Sequence, residues 1–334
     1  MFSRAVAILI LIATTVSAAA QERVTAGVVR EASNGPVFLA AAQGYFKDEG
    51  LELALRAYPS AQQVAQALAG DALDFGVTAY SAQVFQLAGK GEIVAIAAQA
   101  RERRGYEGNE LVASNAAYGR GLRGYGDLAN KVIGIDRLGS SLHYQLGQIA
   151  GLKGFALDGV ILKPLQSLDA IARALAGGEV DAAILPAPYA REVLTASQGK
   201  LIGWYSELDE QQLGALFATP KTIAARRATV EKFVRAYRRG VADYAAAFLR
   251  HDRFGKRVSD AKSRAAAAVI ARYIYPDASD GADAVEAGIY FIDPRARIDI
   301  RDIAHQVAWH QAQGLLDKAA DARRAIDLSF TAGP

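Results

Sequence analysis

Ala67-Leu68-Ala69-Gly70 is followed by Asp74, and the same four residues recur as Ala174-Leu175-Ala176-Gly177, followed by Asp181. The two copies are 107 residues apart, and at that offset 13 of the 55 positions in 24–78 are identical. The order of apolar and turn-forming positions is also the same in the two copies. Self-similarity at a fixed offset indicates a duplicated structural unit. The sequence therefore predicts a chain built from two equivalent halves.

Each copy has the pattern strand, helix, strand, helix, strand. In the first copy the elements are predicted at 24–29, 36–46, 51–55, 61–68 and 73–77. In the second copy the first and last strands are predicted at 132–135 and 180–185. Strands that alternate with helices indicate parallel sheets covered on both faces, and so an α/β fold.

One copy of about 60 residues is marginal for an independent core. The last third of the chain supplies further helical patterns, at 229–250, 263–274 and 299–313. Asp302 lies near the start of the last of these, where a carboxylate suits the helix dipole.

The N-terminus has the pattern of a cleavable secretory signal over residues 1–20. Arg4 precedes an apolar run at 5–16, and alanines occupy 18–20. The run is too short for a bilayer, which needs roughly 20 residues. A buried strand or a membrane anchor is the alternative interpretation. We expect a protein exported to a bacterial periplasm.

The composition excludes several classes of protein. The chain has no cysteine, which removes disulfides, thiolate metal sites, Cys nucleophiles and a lipid-modified cysteine. Without Arg4, 37 Lys and Arg stand against 35 Asp and Glu, and no long basic run suggests nucleic acid. The four histidines are scattered, and no phosphate-binding loop or Gly-x-Ser-x-Gly motif is present. We therefore predict no catalytic residue, metal or cofactor, and a monomer.

Ligands of open parallel sheets bind beyond the carboxyl ends of the strands. The loops after the first strand of each copy lead into helices and carry Ser33, Asn34 and Gly35, and Arg137, Ser140 and Ser141. Hydroxyls and backbone N–H groups at helix starts favour an oxyanion, and Arg137 could bind one bidentately. The serines could equally be helix N-caps, and Arg137 could form a surface ion pair.

Other loops at strand ends carry further candidate ligand-binding residues. They are Tyr58, Thr78, Tyr80, Ser81, Pro186 and Tyr189. Tyrosines at three strand ends suggest the walls of a pocket, although each could be a core or rim aromatic. His143 is interpreted as a helix-surface residue and the charged run 101–104 as a solvated loop.

Four segments resemble the periplasmic solute-binding proteins for nitrate, sulfonate, taurine and thiamine precursors, the NMT1/SsuA-like family. They are GYFKDEGL at 44–51, ALAGDALDFG at 67–76, DLANKVIG at 127–134 and the segment 174–183. The resemblance covers most of 24–250. It is moderately specific for the superfamily and poorly specific for the ligand.

The resemblance implies a type II periplasmic-binding-protein fold, with two Rossmann-like lobes, a hinge and a central cleft. Lobe one would comprise 24–112 plus 215–334 and lobe two 113–214, with crossings near 111–114 and 216–219. It also implies that the loaded form delivers a small-molecule ligand to an ABC permease. We expect a sulfonate or carboxylate; a pyrimidine, thiamine precursor or other heteroaromatic is the alternative ligand.

Relatives of this family include enzymes and the effector domains of transcription regulators. A pyrimidine-forming synthase uses a Cys-rich segment and a desulfinase uses a Cys nucleophile, so neither chemistry can run here in the same way. A regulator would need a helix-turn-helix at the N-terminus. The remaining alternatives are an exported, Cys-independent enzyme acting on a small organic acid and a ligand-sensing partner of a membrane receptor.

Overall fold

The computed structural model describes residues 21–321, 324 and 326–331, apart from the side chain of Pro188. The predicted signal sequence, 1–20, lies outside these residues. The strands are β1 (Glu22–Val28), β2 (Leu51–Ala57), β3 (Phe75–Ala79), β4 (Val94–Ala98), β5 (Ala100–Glu102), β6 (Asn109–Ser114), β7 (Val132–Ile135), β8 (Ile161–Pro164), β9 (Ala182–Pro186), β10 (Gly199–Trp204), β11 (Gln211–Gln212), β12 (Gly214–Ala218) and β13 (Phe291–Ile292).

The strands alternate with helices along the first two thirds of the chain, and helices dominate the last third. The helices are α1 (Gly35–Ala42), α2 (Tyr45–Asp48), α3 (Ala61–Ala69), α4 (Ala82–Gly89), α5 (Asn115–Gly119), α6 (Ser141–Lys153), α7 (Leu168–Ala176), α8 (Ala187–Thr195), α9 (Pro220–Ala225), α10 (Arg227–Phe248), α11 (Ala261–Ile274), α12 (Gly281–Glu286) and α13 (Ile300–Ala312). Among the described residues, none of these helices has the length and apolar character needed to cross a bilayer.

Two five-stranded sheets have the same strand order and the same strand directions. The first runs β2-β1-β3-β12-β4 and the second β8-β7-β9-β6-β10. In each sheet the fourth strand is antiparallel to its neighbours, as β12 is to β3 and β4 and as β6 is to β9 and β10. We call the part built on the first sheet lobe one and the part built on the second lobe two. This matched architecture is what a duplicated unit predicts.

Two aspartates at equivalent positions of the repeat hold equivalent strands together. Asp74 Oδ2 accepts a hydrogen bond from the Thr25 backbone N–H at 2.7 Å, and Asp181 Oδ2 accepts one from the Val132 N–H at 2.9 Å. Each aspartate lies just before the third strand of its copy and satisfies an N–H of the first strand. The repeated Asp therefore has a structural role, because it fixes the register of the two strands.

Asp74→Ala is expected to lower the free energy of unfolding by about 2 kcal/mol, measured by urea denaturation. The change removes the acceptor of the half-buried Thr25 N–H and leaves Arg226 without one of its two carboxylate partners. Lys221→Ala is the control, because exposed Lys221 pairs only with exposed Asp71 and such pairs contribute about 0–1 kcal/mol. Equal effects of the two substitutions would contradict this role for Asp74.

The helix predicted at 36–46 is interrupted. The structure ends α1 at Ala42 and begins α2 at Tyr45, because Gly44 adopts a φ of 75°, a conformation that stops a helix and favours glycine. The apolar side chains on either side still enter one core. The rings of Phe46 and Phe75 contact the ring of Phe233 on α10, with centroids 4.8 and 3.8 Å apart.

The chain passes between the lobes beside a small third sheet, β11-β5-β13. β5 precedes β6 of lobe two, and β11 precedes β12 of lobe one. The predicted boundary at 112/113 therefore falls inside β6, all of whose residues are buried in the second sheet. The first crossing lies at 103–108 and the second at 205–213, so the predicted crossings at 111–114 and 216–219 are too late in the chain. The predicted boundary at 214/215 falls on the first residue of β12.

The charged run 101–104 is solvated only at Arg103 and Arg104, which are exposed. Arg101 and Glu102 belong to β5, and Glu102 is completely buried. Arg101 forms ion pairs with Asp299 at 2.6 Å and Glu210 at 3.2 Å. Asp302, in turn, accepts the Gln212 N–H at 2.7 Å, whereas the N-cap of α13 is Asp299. These side chains join the crossing strands to α13.

Candidate functional site

A cavity lies between the two lobes, where β1 and β3 of lobe one and β7 and β9 of lobe two end. Lobe one contributes the polar side chains of Glu31, Ser33, Asn34, Ser60, Thr78 and Gln99. Lobe two contributes Asn109, Asp136, Ser141 and Ser167, together with Pro186. The position is the one that open parallel sheets use for ligands. Both lobes are needed to enclose it.

Twelve residues were predicted from the sequence to bind the ligand, and five of them line the cavity. These five are Ser33, Asn34, Thr78, Ser141 and Pro186. The other seven do not appear in its lining: Gly35, Tyr58, Tyr80, Ser81, Arg137, Ser140 and Tyr189. The strand ends were located correctly, but the direction in which many side chains point was not.

Local backbone requirements explain two of the misplaced serines. Ser81 caps α4 by accepting the Val84 N–H at 3.2 Å, and Ser140 caps α6 by accepting the His143 N–H at 3.2 Å. For Ser140, the sequence had given this N-cap interaction as the alternative to ligand binding. Gly35 faces the core, since a Cβ there would lie 2.7 Å from the ring of Tyr244.

The three tyrosines that were predicted to bind the ligand, Tyr58, Tyr80 and Tyr189, pack in the cores of the lobes and do not line the cavity. Tyr80 is 1% exposed, and its ring stacks on Phe85 with centroids 5.2 Å apart. Tyr58 and Tyr189 are half-buried and pack against the apolar clusters of lobe one and lobe two. His143, predicted on a helix surface, is buried, and its Nδ1 accepts the Gly139 N–H at 3.0 Å.

Arg137, the predicted oxyanion clamp, does not contribute to the lining. Its Nε is buried without a hydrogen-bond partner. None of the described residues that line the cavity is a lysine or an arginine. The cavity therefore lacks the cationic group that the oxyanion hypothesis required.

Two of the predicted residues that line the cavity already form hydrogen bonds with other parts of the protein. Asn34 donates from Nδ2 to the Val29 carbonyl at 2.7 Å and accepts from Gln99 Nε2 at 2.7 Å. Thr78 Oγ1 donates to the Ala61 carbonyl at 3.0 Å. These hydrogen bonds hold the loops of lobe one in place, so the side chains of Asn34 and Thr78 shape the cavity wall.

Two carboxyl groups that the prediction omitted line the cavity, one from each lobe. Glu31 follows β1 of lobe one and Asp136 follows β7 of lobe two. Burial raises the pKa of Glu31 to about 7; the Ser33 hydroxyl opposes this rise and Asp136 adds to it. Burial also raises the pKa of Asp136, against the effect of Ser140 and Arg137. The available signal was an acidic residue in the loop after the first strand of each copy, three residues beyond β1 for Glu31 and one beyond β7 for Asp136.

A buried polar network connects the cavity to the crossing strands. Asn109 lines the cavity, donates from Nδ2 to Gln145 Oε1 at 2.9 Å and accepts from the Tyr290 hydroxyl at 2.6 Å. Its backbone N–H donates to Glu102 Oε1 at 2.9 Å. Gln145 belongs to lobe two and Glu102 to the third sheet, so movement between the lobes must rearrange this network.

Within the described part of the chain, no group of three or more His, Cys, Asp or Glu side chains could hold a metal ion. The two carboxyls of the cavity are thus its principal charged groups. They can accept hydrogen bonds or bind a cation, and Glu31, with its pKa raised to about 7, can exchange a proton near neutral pH.

Comparison with known proteins gives one family match. A family model described as NMT1/THI5 like matches residues 32–247. No curated protein sequence gives a significant match. Many solved structures are similar to this chain, and at low sequence identity these likenesses concern the fold.

Three of these structures cover nearly the whole chain. The alkanesulfonate-binding protein SsuA from Xanthomonas axonopodis pv. citri, bound to MOPS, is 17% identical, with a TM-score of 0.71 over 93% of this chain and 99% of that chain. A ligand-binding component of an ABC-type import system from Staphylococcus aureus, with zinc bound, is 12% identical, with a TM-score of 0.73 over 93% and 98%. The desulfurization enzyme DszB is 15% identical, with a TM-score of 0.60 over 93% and 97%. The shared architecture is the periplasmic-binding-protein fold, which confirms the predicted fold class.

Proposed function

The chain belongs to the NMT1/THI5-like family, and from that premise we propose that it is the periplasmic solute-binding component of an ABC importer. In this role it captures a small molecule between its lobes and presents the closed form to a permease in the inner membrane. The observation that carries the proposal is a polar cavity to which both lobes contribute at the ends of equivalent strands.

The contacts between the lobes support closure as the binding step. Between the lobes, the Ala82 N–H at the start of α4 donates to the Gly139 carbonyl of lobe two at 2.8 Å. The crossing segments 103–108 and 205–213 are short, and a few such residues suffice for hinge motion. A ligand that contacts both lobes stabilises the closed form because the open form offers it only half of those contacts.

The enzyme alternative deserves a direct test, because one structure with this fold is a desulfurization enzyme. The chain has no cysteine, and its cavity contains two carboxyls whose pKa values are raised. Raised carboxyl pKa values occur both in acid–base catalysis and in structural sites. Conversion of a bound compound into a product would therefore show that the protein is an enzyme.

Closure can be measured with two spin labels, because the cysteine-free chain accepts labels only where cysteines are introduced. Gln63→Cys and Asp169→Cys place labels on exposed positions in the first turns of α3 and α7, the helices that follow Ser60 and Ser167 of the cavity. We expect one compound class among sulfonates, carboxylates, amidines, guanidines and pyrimidines to shorten the distance between the labels and to be recovered unchanged. Binding without a change in distance, or recovery of a reaction product, would contradict the proposed function.

A further inference from the structure

The charges that face the cavity are of one sign. Glu31 belongs to lobe one and Asp136 to lobe two, and no described lining residue is cationic. Ser33 Oγ donates to Glu31 Oε2 at 3.1 Å. Asp136 Oδ1 is buried and has no hydrogen-bond partner. An unpaired buried acceptor is costly, so the cavity lacks a hydrogen-bond donor to Asp136 Oδ1 and a positive charge.

An oxyanion would make both deficits worse. Its oxygens would face carboxyl oxygens, and a third negative charge would enter a site where burial already opposes two. Glu31 and Asp136 also repel each other, since each is on the face of a different lobe and the lobes approach when they close. A cation reverses both effects because it attracts each carboxylate and cancels their repulsion.

Resting on the proposed function, we propose that the cleft ligand is a small organic cation of the guanidinium or amidinium type, held between Glu31 of lobe one and Asp136 of lobe two. A planar guanidinium or amidinium group can donate two parallel N–H hydrogen bonds to the two oxygens of one carboxylate. A group with N–H donors on opposite edges can bind one carboxylate on each lobe. The ligand is small, since the lobes already touch through Ala82 and Gly139.

A metal ion fits the site less well than an organic cation. Only two carboxyls line the cavity, and the described residues offer no group of three metal-binding side chains. Ca²⁺ and Mg²⁺ take six or more oxygen ligands, and Zn²⁺ is usually held by at least three protein side chains. The same arrangement suits N–H donors, since each carboxylate can accept several hydrogen bonds.

The proposal links closure to charge. Without ligand, two ionised carboxyls on opposite lobes favour the open form, and the cation removes that penalty. The affinity should therefore be full above pH 7 and fall as the pH drops below the pKa of Glu31 in the free protein. The titratable groups that act on Glu31 are Asp136, Tyr189 and Tyr290, and Arg137 acts on Asp136. Of these, only Asp136 is a carboxyl, and burial raises its pKa as well.

The test uses probes that differ in charge and little in size: acetamidinium and methylguanidinium against acetate and methanesulfonate. Calorimetry on the chain without its signal sequence should detect binding of at least one cation and of neither anion at pH 8. Glu31→Gln and Asp136→Asn should each weaken that binding at least tenfold, and cation affinity should fall from pH 8 to pH 6. Glu92→Gln is the matched control, since exposed Glu92 precedes β4 at the opposite edge of the sheet.

Each other outcome has a defined meaning. Binding of an anion, no binding by either cation, or cation binding that neither variant weakens would overturn the proposal. If an anion shortens the distance between the labels at 63 and 169, the ligand class is wrong while the proposed function stands. If a cation binds at Glu31 and Asp136 and the distance stays the same, closure is wrong while the ligand class stands. The pH dependence is measured on the unmutated chain, so it does not depend on whether the variants fold.

Discussion

Gly240→Ala is expected to destabilise the protein by about 3 kcal/mol and to lower its melting temperature by roughly 5 °C. Gly240 lies in the middle of α10, where the helix crosses α1. A Cβ at this position would lie 2.1 Å from the Pro36 carbonyl oxygen and 2.9 Å from the Ala40 Cβ. The oxygen belongs to the backbone of a buried helix, so it cannot move aside as the end of a flexible side chain could. The two helices must separate, and the core of lobe one loses its packing.

Gly151→Ala provides the matched control, because Gly151 is also within a helix, α6, and has no atom within 4 Å of its ideal Cβ position. There the higher helix propensity of alanine should stabilise the protein by about 0.5–1 kcal/mol. Thermal unfolding followed by circular dichroism compares the two variants. A small effect of Gly240→Ala, similar to that of Gly151→Ala, would show that the contact between α1 and α10 is looser than the structure indicates.

The architecture was accessible from the sequence because its signal is repeated. Asp74 and Asp181 recur at the same offset since each performs the same task, accepting an N–H of the first strand in its own lobe. A pattern of alternating strands and helices also fixes where the ends of parallel strands lie. The location of the cavity follows from these two facts.

The identity of the site residues was harder to predict, because neighbouring positions in a loop point in different directions. Ser140 caps α6 while Ser141 lines the cavity, and the sequence treats the two serines alike. Arg137 was predicted to bind the ligand because arginine is a common oxyanion ligand, but its neighbour Asp136 lines the cavity and Arg137 does not. The side-chain direction depends on the turn between β7 and α6, which includes Gly139 at a φ of 77°.

The buried acid of the crossing segment could not be predicted from its neighbours in sequence. Glu102 lies in a run of charged residues that is typical of a solvated loop. Its hydrogen-bond partners include Gln145, 43 residues away, and burial there depends on packing between elements that are distant in sequence. Such contacts leave no periodic pattern in the segment itself.

Glu102→Gln is expected to remove much of the loss of stability that the protein shows as the pH rises. Burial raises the pKa of Glu102 to about 8. In the unfolded chain this carboxyl loses its proton near pH 4.5, whereas the folded chain keeps it until about pH 8. The free energy of unfolding therefore falls by about 1.4 kcal/mol per pH unit across this interval, on the order of 4 kcal/mol in all. Glu31 and Glu110, with pKa values raised to about 7, add losses of the same sign.

The glutamine variant should match the parent near pH 5 and exceed its stability by several kcal/mol near pH 9. The Glu102 Oε1 accepts the Asn109 N–H, while Oε2 is buried without a partner, so a neutral amide of the same shape retains the bond and removes the charge. An ionised Glu102 would also disfavour the charged forms of Tyr205 and Tyr290. Burial already holds the pKa values of both tyrosines well above 10, so they stay neutral from pH 5 to pH 9. Urea denaturation from pH 5 to pH 9 gives the two stability curves, with exposed Glu92→Gln as a control that should keep the parent slope. Parallel curves for Glu102→Gln and the parent would mean that Glu102 is ionised in the folded chain already at pH 5, and that its charge is compensated by groups outside this network.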